Sequence, residues 1–328
     1  MILAGDIGGT KTTIALYEAE GDGLSARRLA SYVSHDWPGL TPILRDFLNG
    51  ETRAVESACF GIAGPVIHNR VHTPNLAWTV DGDVVAGELG IARVEIINDL
   101  VATAHGIPLL APSELATLNC GSPDAAGNAA LIAAGTGLGM TVLARVQGEL
   151  VPLPSEGGHQ DFAPRNEDER ALHRWLDGCF GHVSDERVVS GLGLHNLYDY
   201  LRSTGRFPES DALRAAITAG DPGRVIGEAG VAGTDALAAA AVYLFASLYG
   251  AVAGNLALVA LATGGFYIGG GIAPKILVGD LREVFMQGFV AKGRFEGLLR
   301  GIPVHIILNP QAAVLGAALR AARRPGGA

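Results

Sequence analysis

The sequence predicts an α/β protein of two lobes. Three observations lead there. At 328 residues the chain is long enough for two hydrophobic cores. Short apolar strands alternate with helical stretches along its length. One plan also occurs twice, apolar strand, Gly/Thr turn, apolar strand, first over 1–17 and again over 129–146. It reads as an internal repeat of architecture, since the two copies share little identity.

Hydrophobic residues make up 48% of the chain and charged residues 17%, which excludes a disordered protein. A net charge of −9 argues against an electrostatic partner such as nucleic acid or an anionic membrane. Cys59, Cys120 and Cys179 are odd in number and far apart, with no CxxC pair or Cys/His cluster, so neither a disulfide framework nor a structural zinc site is expected. A reducing cytoplasm suits that usage. With Asp6 where a leader would carry basic residues, and only a short apolar run before it, no signal peptide is expected.

The first lobe opens on Met1-Ile2-Leu3-Ala4, the turn Gly5-Asp6-Ile7-Gly8-Gly9-Thr10-Lys11 and the alternating Thr12-Thr13-Ile14-Ala15-Leu16-Tyr17, together a tight hairpin. Its glycines at 5, 8 and 9 can take positive φ and let backbone come close to a ligand, while Thr10 and Lys11 add a hydroxyl and a cation. That is phosphate-cradle chemistry, although the spacing is neither GxxxxGK[ST] nor GxGxxG opening a helix, and a glycine hairpin without a ligand competes. Strand 29–33 and helix 40–48 follow, the helix carrying Leu40, Ile43, Leu44, Phe47 and Leu48 on one face. Strand 57–65 has the small apolar residues of burial on both faces. Helix 81–89 precedes strand 94–97, which ends in Asn98-Asp99, a natural ligand position at the carboxyl end of a buried strand.

A second lobe begins near residue 110, giving lobes of 1–109 with 302–328, and 110–301. After the loop 119–128, strand 129–134 runs into Gly135-Thr136-Gly137-Leu138-Gly139 and strand 140–146. The loop 153–159 holds Glu156 and His159; helix 166–180, the segment 184–191 with Glu186, and helix 192–201 come next. Residues 236–274 contain no Asp, Glu, Lys, Arg or His, which on length alone fits a membrane span. Their Ala/Gly content, Tyr243, Ser247, Tyr249, Asn255 and the Gly264-Gly265 break favour a helix over 235–263 buried between protein layers, with no basic flank or second span. Strand 266–268, the turn Gly269-Gly270-Gly271, helix 274–288 and strand 304–307 lead to an Ala-rich helix 311–323 that packs back on the first lobe. The tail 325–328 is expected to fray.

Three glycine turns, at 5–9, 135–139 and 269–271, each follow a buried strand and together suit a polyphosphate. Asp6 suits a hydrated Mg²⁺, which takes one or two carboxylates plus phosphate oxygens, or else it caps the hairpin. Asp99 suits a base that accepts a hydroxyl proton as that oxygen attacks a γ-phosphate, or else it makes an Asx-turn or N-cap for the next helix. Glu156, His159, Glu186 and Asn98 form a donor and acceptor set fit for a polyol. Taken singly, His159 also reads as a loop histidine and Glu186 as an exposed helix start. Metal ligation by His159 with Glu156 lacks a third ligand.

In sequence order, Asp6-Ile7-Gly8-Gly9-Thr10, Ile96-Ile97-Asn98-Asp99, Gly135-Thr136-Gly137-Leu138-Gly139, Ser155-Glu156-Gly157-Gly158-His159-Gln160-Asp161-Phe162-Ala163, Glu186-Arg187-Val188-Val189-Ser190-Gly191 and Gly254-Asn255-Leu256-Ala257-Leu258 resemble the bacterial ATP-dependent glucokinases of the Glk type. The resemblance spans nearly the whole chain. It implies a two-lobed actin-like (ribonuclease H-like) ATPase fold with an internal structural repeat and a cleft between lobes. It also implies a cytoplasmic homodimer, without nucleic-acid or membrane partner, that transfers the γ-phosphoryl of ATP to the 6-hydroxyl of glucose with Mg²⁺, giving glucose 6-phosphate and ADP at the first step of glycolysis.

Carried onto these positions, the resemblance makes Asp99 the general base, Asn98 a ring-hydroxyl ligand, and Glu156, His159 and Glu186 sugar contacts. Gly8, Gly9 and Thr10, with Lys11, and Gly135, Thr136 and Gly137 would hold ATP phosphates. Gly269, Gly270 and Gly271 would approach the nucleoside, and Asp6 would serve Mg²⁺ through water. Lys11 stands where many Glk-type enzymes have Asn, a form that looks more like the related ROK sugar kinases and repressors. ROK members, however, carry a zinc-binding cysteine cluster after the sugar-binding His, and none follows His159. The chain starts at the phosphate turn, so a helix-turn-helix repressor is not expected. The alternatives are a kinase of another hexose, polyphosphate as donor, a non-catalytic sugar-binding regulator and an actin-like filament ATPase.

Overall fold

The computed structural model describes residues 1–20, 23–73 and 76–323, so the tail 325–328 lies outside the described residues. The chain divides into two compact units, Met1–Glu114 with Val151–Pro154 and Asn309–Ala328, and Leu115–Leu150 with Ser155–Leu308.

The first unit runs β1 (Ile2–Ile7), β2 (Lys11–Glu20), β3 (Gly23–Val33), α1 (Leu40–Leu48), β4 (Ser57–Ile62), β5 (Arg70–His72), β6 (Thr79–Asp81), α2 (Gly82–Leu89), β7 (Arg93–Asn98) and α3 (Asp99–Gly106). Five of these strands form one sheet in the order β3-β2-β1-β4-β7. β1 pairs antiparallel with β2, whereas β1, β4 and β7 are parallel neighbours. Parallel strands buried on both faces need a helical layer on each side. On one side Leu40, Ile43, Leu44 and Phe47 of α1 join Leu3, Phe60 and Ile96 of the sheet. On the other, Ala313, Val314, Ala317 and Ala318 of the C-terminal helix Ala312–Ala322 meet Ala4, Cys59 and Ala102. Side chains this small let the backbones touch: a Cβ on Gly316 would collide with the Ala102 carbonyl. The Ala-rich helix therefore packs back on the first unit, as its composition suggested.

The second unit runs β8 (Leu115–Asn119), β9 (Ala129–Ala134), β10 (Leu138–Val146), β11 (Glu149–Leu153, of which only Glu149 and Leu150 fall in this unit), α4 (Glu167–Phe180), α5 (Gly191–Ser203), α6 (Asp211–Ala219), α7 (Pro222–Val231), α8 (Ala236–Ala260), β12 (Gly265–Gly269), α9 (Ala273–Ile276), α10 (Leu281–Val290), α11 (Glu296–Gly301) and β13 (Val304–Ile307). Its sheet has the order β11-β10-β9-β12-β13-β8. Here too a hairpin, β9 with β10, sits beside parallel strands, β9, β12 and β13. Asn166, Ser190, Ser210, Asp221 and Asp235 each accept a backbone N–H at the start of a helix, supplying the partner that a first turn lacks.

Among the described residues α8 is the one helix long and apolar enough to cross a membrane. It is a core helix here, burying Phe245, Leu248, Tyr249 and Val252 against neighbours that include Phe285 and Phe289 of α10. Three expectations are corrected. Helix 274–288 is two helices, α9 and α10, because the chain turns at Gly279 with φ 52°. Residues 302–308 belong to the second unit, since β13 pairs with β12 and β8, and 110–114 belong to the first. Helices α6 and α7 and strand β8 carry no motif and were not foreseen.

Candidate active site

In the first unit the hairpin closes over Gly8-Gly9-Thr10, with the Gly8 N–H donating to the Lys11 carbonyl at 3.0 Å. Ser34 braces this turn: its N–H donates to the Thr10 carbonyl (3.0 Å), and its hydroxyl donates to the Gly8 carbonyl (2.8 Å). Neither Gly5 nor Gly8 uses the positive φ open to glycine. Gly5 is required by packing instead. A Cβ there would lie 2.7 Å from Ile14 Cδ1 and 2.9 Å from Phe60 Cδ1.

Asn98 ends β7 and caps α3, its Oδ1 accepting from the N–H of Leu100 (2.9 Å) and of Val101 (3.3 Å). The cap is therefore Asn98 and not Asp99, so the capping alternative for Asp99 falls away. The Asn98 amide donates to the Gly64 carbonyl at 3.2 Å; a carboxamide has two N–H groups, so a ring hydroxyl would have to use the other. Asp99, the first residue of α3, accepts from the Leu100 N–H at 2.8 Å.

Asp6 of β1 is in register with Gly61 of β4, and a Cβ on Gly61 would lie 2.7 Å from Ala102 Cβ and 3.4 Å from Asp99 Cα. The absent side chain lets α3 begin close against the strand ends. As a result Asp6 and Asp99 sense one another. The Asp6 carboxyl is pushed up to about 7, chiefly by burial and then by the negative charge of Asp99, with Lys11 opposing. Mg²⁺ fits this donor set: a buried carboxyl crowded by a second carboxylate is relieved by a divalent cation, and Mg²⁺ needs only one or two carboxylates beside water and phosphate oxygens. Among the described residues no cluster of three or more His, Cys, Asp or Glu is arranged to hold a metal.

In the second unit the Gly135 N–H donates to the Gly137 carbonyl (2.9 Å), and the Gly135 carbonyl accepts from the Gly191 N–H (2.8 Å), tying this turn to the start of α5. The Leu138 N–H donates to Glu186 Oε2 at 2.9 Å, and a Cβ on Gly137 would lie 2.5 Å from that same oxygen. Glu156 precedes a single helical turn over Gly157–His159, whose His159 N–H donates to the Glu156 carbonyl at 3.1 Å. His159 Nδ1 lies 4.0 Å from Glu186 Oε1. Glu186 and His159 thus come together, with Glu156 on the same turn as His159.

A cavity of about 570 Å³ opens beside that turn, lined in part by Gly135, Thr136, Gly271, Arg224, Glu228 and Lys275. Gly270 at φ 82° makes the lining possible, since a Cβ there would collide with the Ala134 carbonyl at the end of β9. Of the three expected glycine turns, those at 135–137 and 269–271 therefore meet at one cavity. Its charged lining from α7 and α9 escaped the sequence reading. The Asp221-Pro222 start of α7 was the available signal, an N-cap followed by a proline suited to the first helical position.

Solved structures of known function share this architecture. A glucokinase from an Antarctic psychrotroph is 29% identical with a TM-score of 0.82, the match covering 98% of each chain. A ROK family glucokinase from Streptomyces griseus, solved with glucose and AMPPNP, shares the fold at 22% identity and a TM-score of 0.66, again over 98% of each chain. The fold and site together define an α/β sugar kinase of two units. A family model described as glucokinase matches residues 3–324, and a glucokinase from Nostoc punctiforme is 44% identical over 338 aligned positions, covering 98% of this chain and 99% of that protein. The chain belongs to the glucokinase family.

Proposed function

We infer that the protein transfers the γ-phosphoryl of ATP to the 6-hydroxyl of glucose, giving glucose 6-phosphate and ADP as the entry step of glycolysis. The observation that carries this reading is Asp99 at the first residue of α3, close enough to Asp6 for the two charges to interact. Asp99 accepts the proton of the 6-hydroxyl as that oxygen bonds to the γ-phosphorus, and the bond from the γ-phosphorus to the bridging oxygen breaks to release ADP. Asp6 would hold Mg²⁺ through water, and the bound ion supplies positive charge to the phosphate oxygens. Lys11, whose charge already acts on Asp6, adds a further cation at the same end of the sheet.

Glu156, His159 and Glu186 hold hexose hydroxyls, the carboxylates as acceptors of short charge-assisted hydrogen bonds, and Asn98 adds a donor. The turns Gly8-Gly9-Thr10 and Gly135-Thr136-Gly137 hold phosphates through backbone N–H groups. The cavity at Gly269-Gly270-Gly271 takes the nucleoside, with Lys275 and Arg224 on its wall. The shared order of hairpin and parallel strands in the two sheets supports an actin-like internal repeat. An acidic chain with three free cysteines suits the cytoplasm, and the family resemblance supports a homodimer.

ADP formation with glucose, mannose, fructose, glucosamine and N-acetylglucosamine, each with ATP or polyphosphate, tests the reading. Turnover with glucose and ATP should exceed every other pair. Preference for another hexose, or sugar binding without ADP release, would overturn it.

A further inference from the structure

Two loops of the second unit carry His159 and Glu186, and the side chains that tie them together are their immediate neighbours. The Gln160 amide donates to Asp185 Oδ2 at 2.8 Å, and the Asp185 N–H donates to the Gln160 carbonyl at 2.9 Å. The tie continues outward, with Asp161 and Ser184 bridged antiparallel and the Phe162 N–H donating to the Val183 carbonyl at 2.9 Å. Asp185 is only 2% exposed while Gln160 is exposed, so the bond that locks the two loops is half-buried, anchored at its carboxylate end.

We propose that Asp185 and Gln160 form a positioning pair that fixes the His159 loop against the Glu186 turn and thereby sets the affinity for the hexose. The proposal rests on the reading that His159 and Glu186 hold the sugar. Neither member of the pair needs to touch the ligand. They act by holding His159 Nδ1 at 4.0 Å from Glu186 Oε1, a spacing that two hydroxyls of one ring must match.

Burial pushes the Asp185 carboxyl up to about 6, with the Gln160 hydrogen bond and the charge of Lys292 pulling it down and Asp161 pushing it up. Lys292 is itself engaged, donating to the Ala251 carbonyl (2.8 Å) and Asn255 Oδ1 (2.6 Å), and burial followed by the charge of Arg165 lowers it to about 8. Because the folded value for Asp185 lies above the ordinary 3.8, the folded protein retains the proton through that window, and stability falls as pH rises from about 4 to about 6. The ionised side chain thus costs stability at neutral pH while making the stronger, charge-assisted bond to Gln160. Protonation relieves the fold and loosens the lock. His182, in contact with the His159 carbonyl at 3.1 Å and 3.4 Å from Asp161 Oδ1, is another titratable group on these loops and is present unchanged in every variant below.

The test is glucose KM, ATP KM, kcat and thermal melting for the wild type, Asp185→Ala, Asp185→Asn and Glu186→Gln, at pH values on both sides of about 6. Asp185→Ala should raise glucose KM by about tenfold and leave ATP KM unchanged, the loss expected for one hydrogen bond to a charged group. Asp185→Asn still accepts from Gln160, so it should restore glucose KM at neutral pH, melt higher than the wild type, and lack the added rise in glucose KM that the wild type shows as pH falls through about 6. Should the alanine variant not fold, the asparagine variant against the wild type decides alone. An unchanged glucose KM in Asp185→Ala, a low-pH rise as steep in Asp185→Asn as in the wild type, or a lower melting temperature in Asp185→Asn would each overturn the proposal. Glu186→Gln separates the two levels: if it leaves glucose KM unchanged, the hexose-site reading itself fails, whereas a raised KM there with no effect of Asp185→Ala sinks only the positioning pair.

Discussion

The Glu186 carboxylate accepts the Leu138 N–H at 2.9 Å through one oxygen and lies 4.0 Å from His159 Nδ1 through the other. One side chain thus touches both the glycine turn after β9 and the loop carrying the candidate hexose histidine. Gly137 must lack a side chain for this, because a Cβ would sit 2.5 Å from Glu186 Oε2. Gly137→Ala should therefore displace the carboxylate and raise glucose KM by about tenfold, with ATP KM rising as the turn shifts. Two-substrate steady-state kinetics check this. An effect on ATP alone would separate Glu186 from the sugar.

Asp99→Ala should lower kcat by about 10² to 10⁴, the usual share of a general base, while glucose binding measured by calorimetry persists. Near-normal turnover in that variant would remove Asp99 from the chemistry.

If Asp6 serves Mg²⁺, the metal dependence of turnover should vary with pH. With its carboxyl near 7, a proton competes with Mg²⁺, so apparent Mg²⁺ affinity should weaken about tenfold per pH unit below that point. Without Mg²⁺ the folded state holds this proton between the ordinary 3.8 and about 7, so stability falls as pH rises through that window, by at most about 4 kcal/mol. Asp6→Asn should melt higher than the wild type at pH values above about 7 and lose the pH slope of Mg²⁺ binding. Thermal melts and Mg²⁺ titrations across pH, each with and without the substitution, measure both effects.

Lys275 lines the cavity of the second unit. Lys275→Met should raise ATP KM by about tenfold through loss of one charged contact and leave glucose KM unaltered. If glucose KM moved instead, the cavity would not be the nucleoside site.

Packing of the C-terminal helix against α3 should also reach the chemistry. A Cβ on Gly316 would collide with the Ala102 carbonyl of α3, whose first residue is Asp99. Gly316→Ala should destabilise the protein by about 1–3 kcal/mol through overpacking and lower kcat by tilting α3. Denaturant melts beside kcat test the link; lost stability with full kcat would show that α3 stays in place.

Much of the architecture was legible because it is written locally. Helix 40–48, strand 129–134 and strand 304–307 are observed over the same residues as expected, since each shows its own period or apolar run between turn residues. Helices α6 and α7 were not legible: both are short, and α7 gains its meaning only from the cavity it lines. Glycine shows the same limit. Gly5 and Gly270 look alike in sequence, yet Gly5 serves close packing and Gly270 serves a left-handed turn, and only neighbours in space distinguish them.

By itself the sequence determined the order of the motifs, the two-sheet α/β class and the identity of the polar residues that end the buried strands, because these depend on spacing along the chain. Tertiary structure alone decided which carboxylates share a field and which loops are tied together. Asp6 is shifted toward neutrality chiefly by burial in the sheet and then by Asp99, which the packing of α3 against β4 brings near it. Asn98 and not Asp99 caps that helix, and Gln160 reaches Asp185 across a gap in sequence that no local pattern spans. A hydrogen bond needs contact and a charge interaction weakens with separation, so both follow distance in the fold and not distance in the chain.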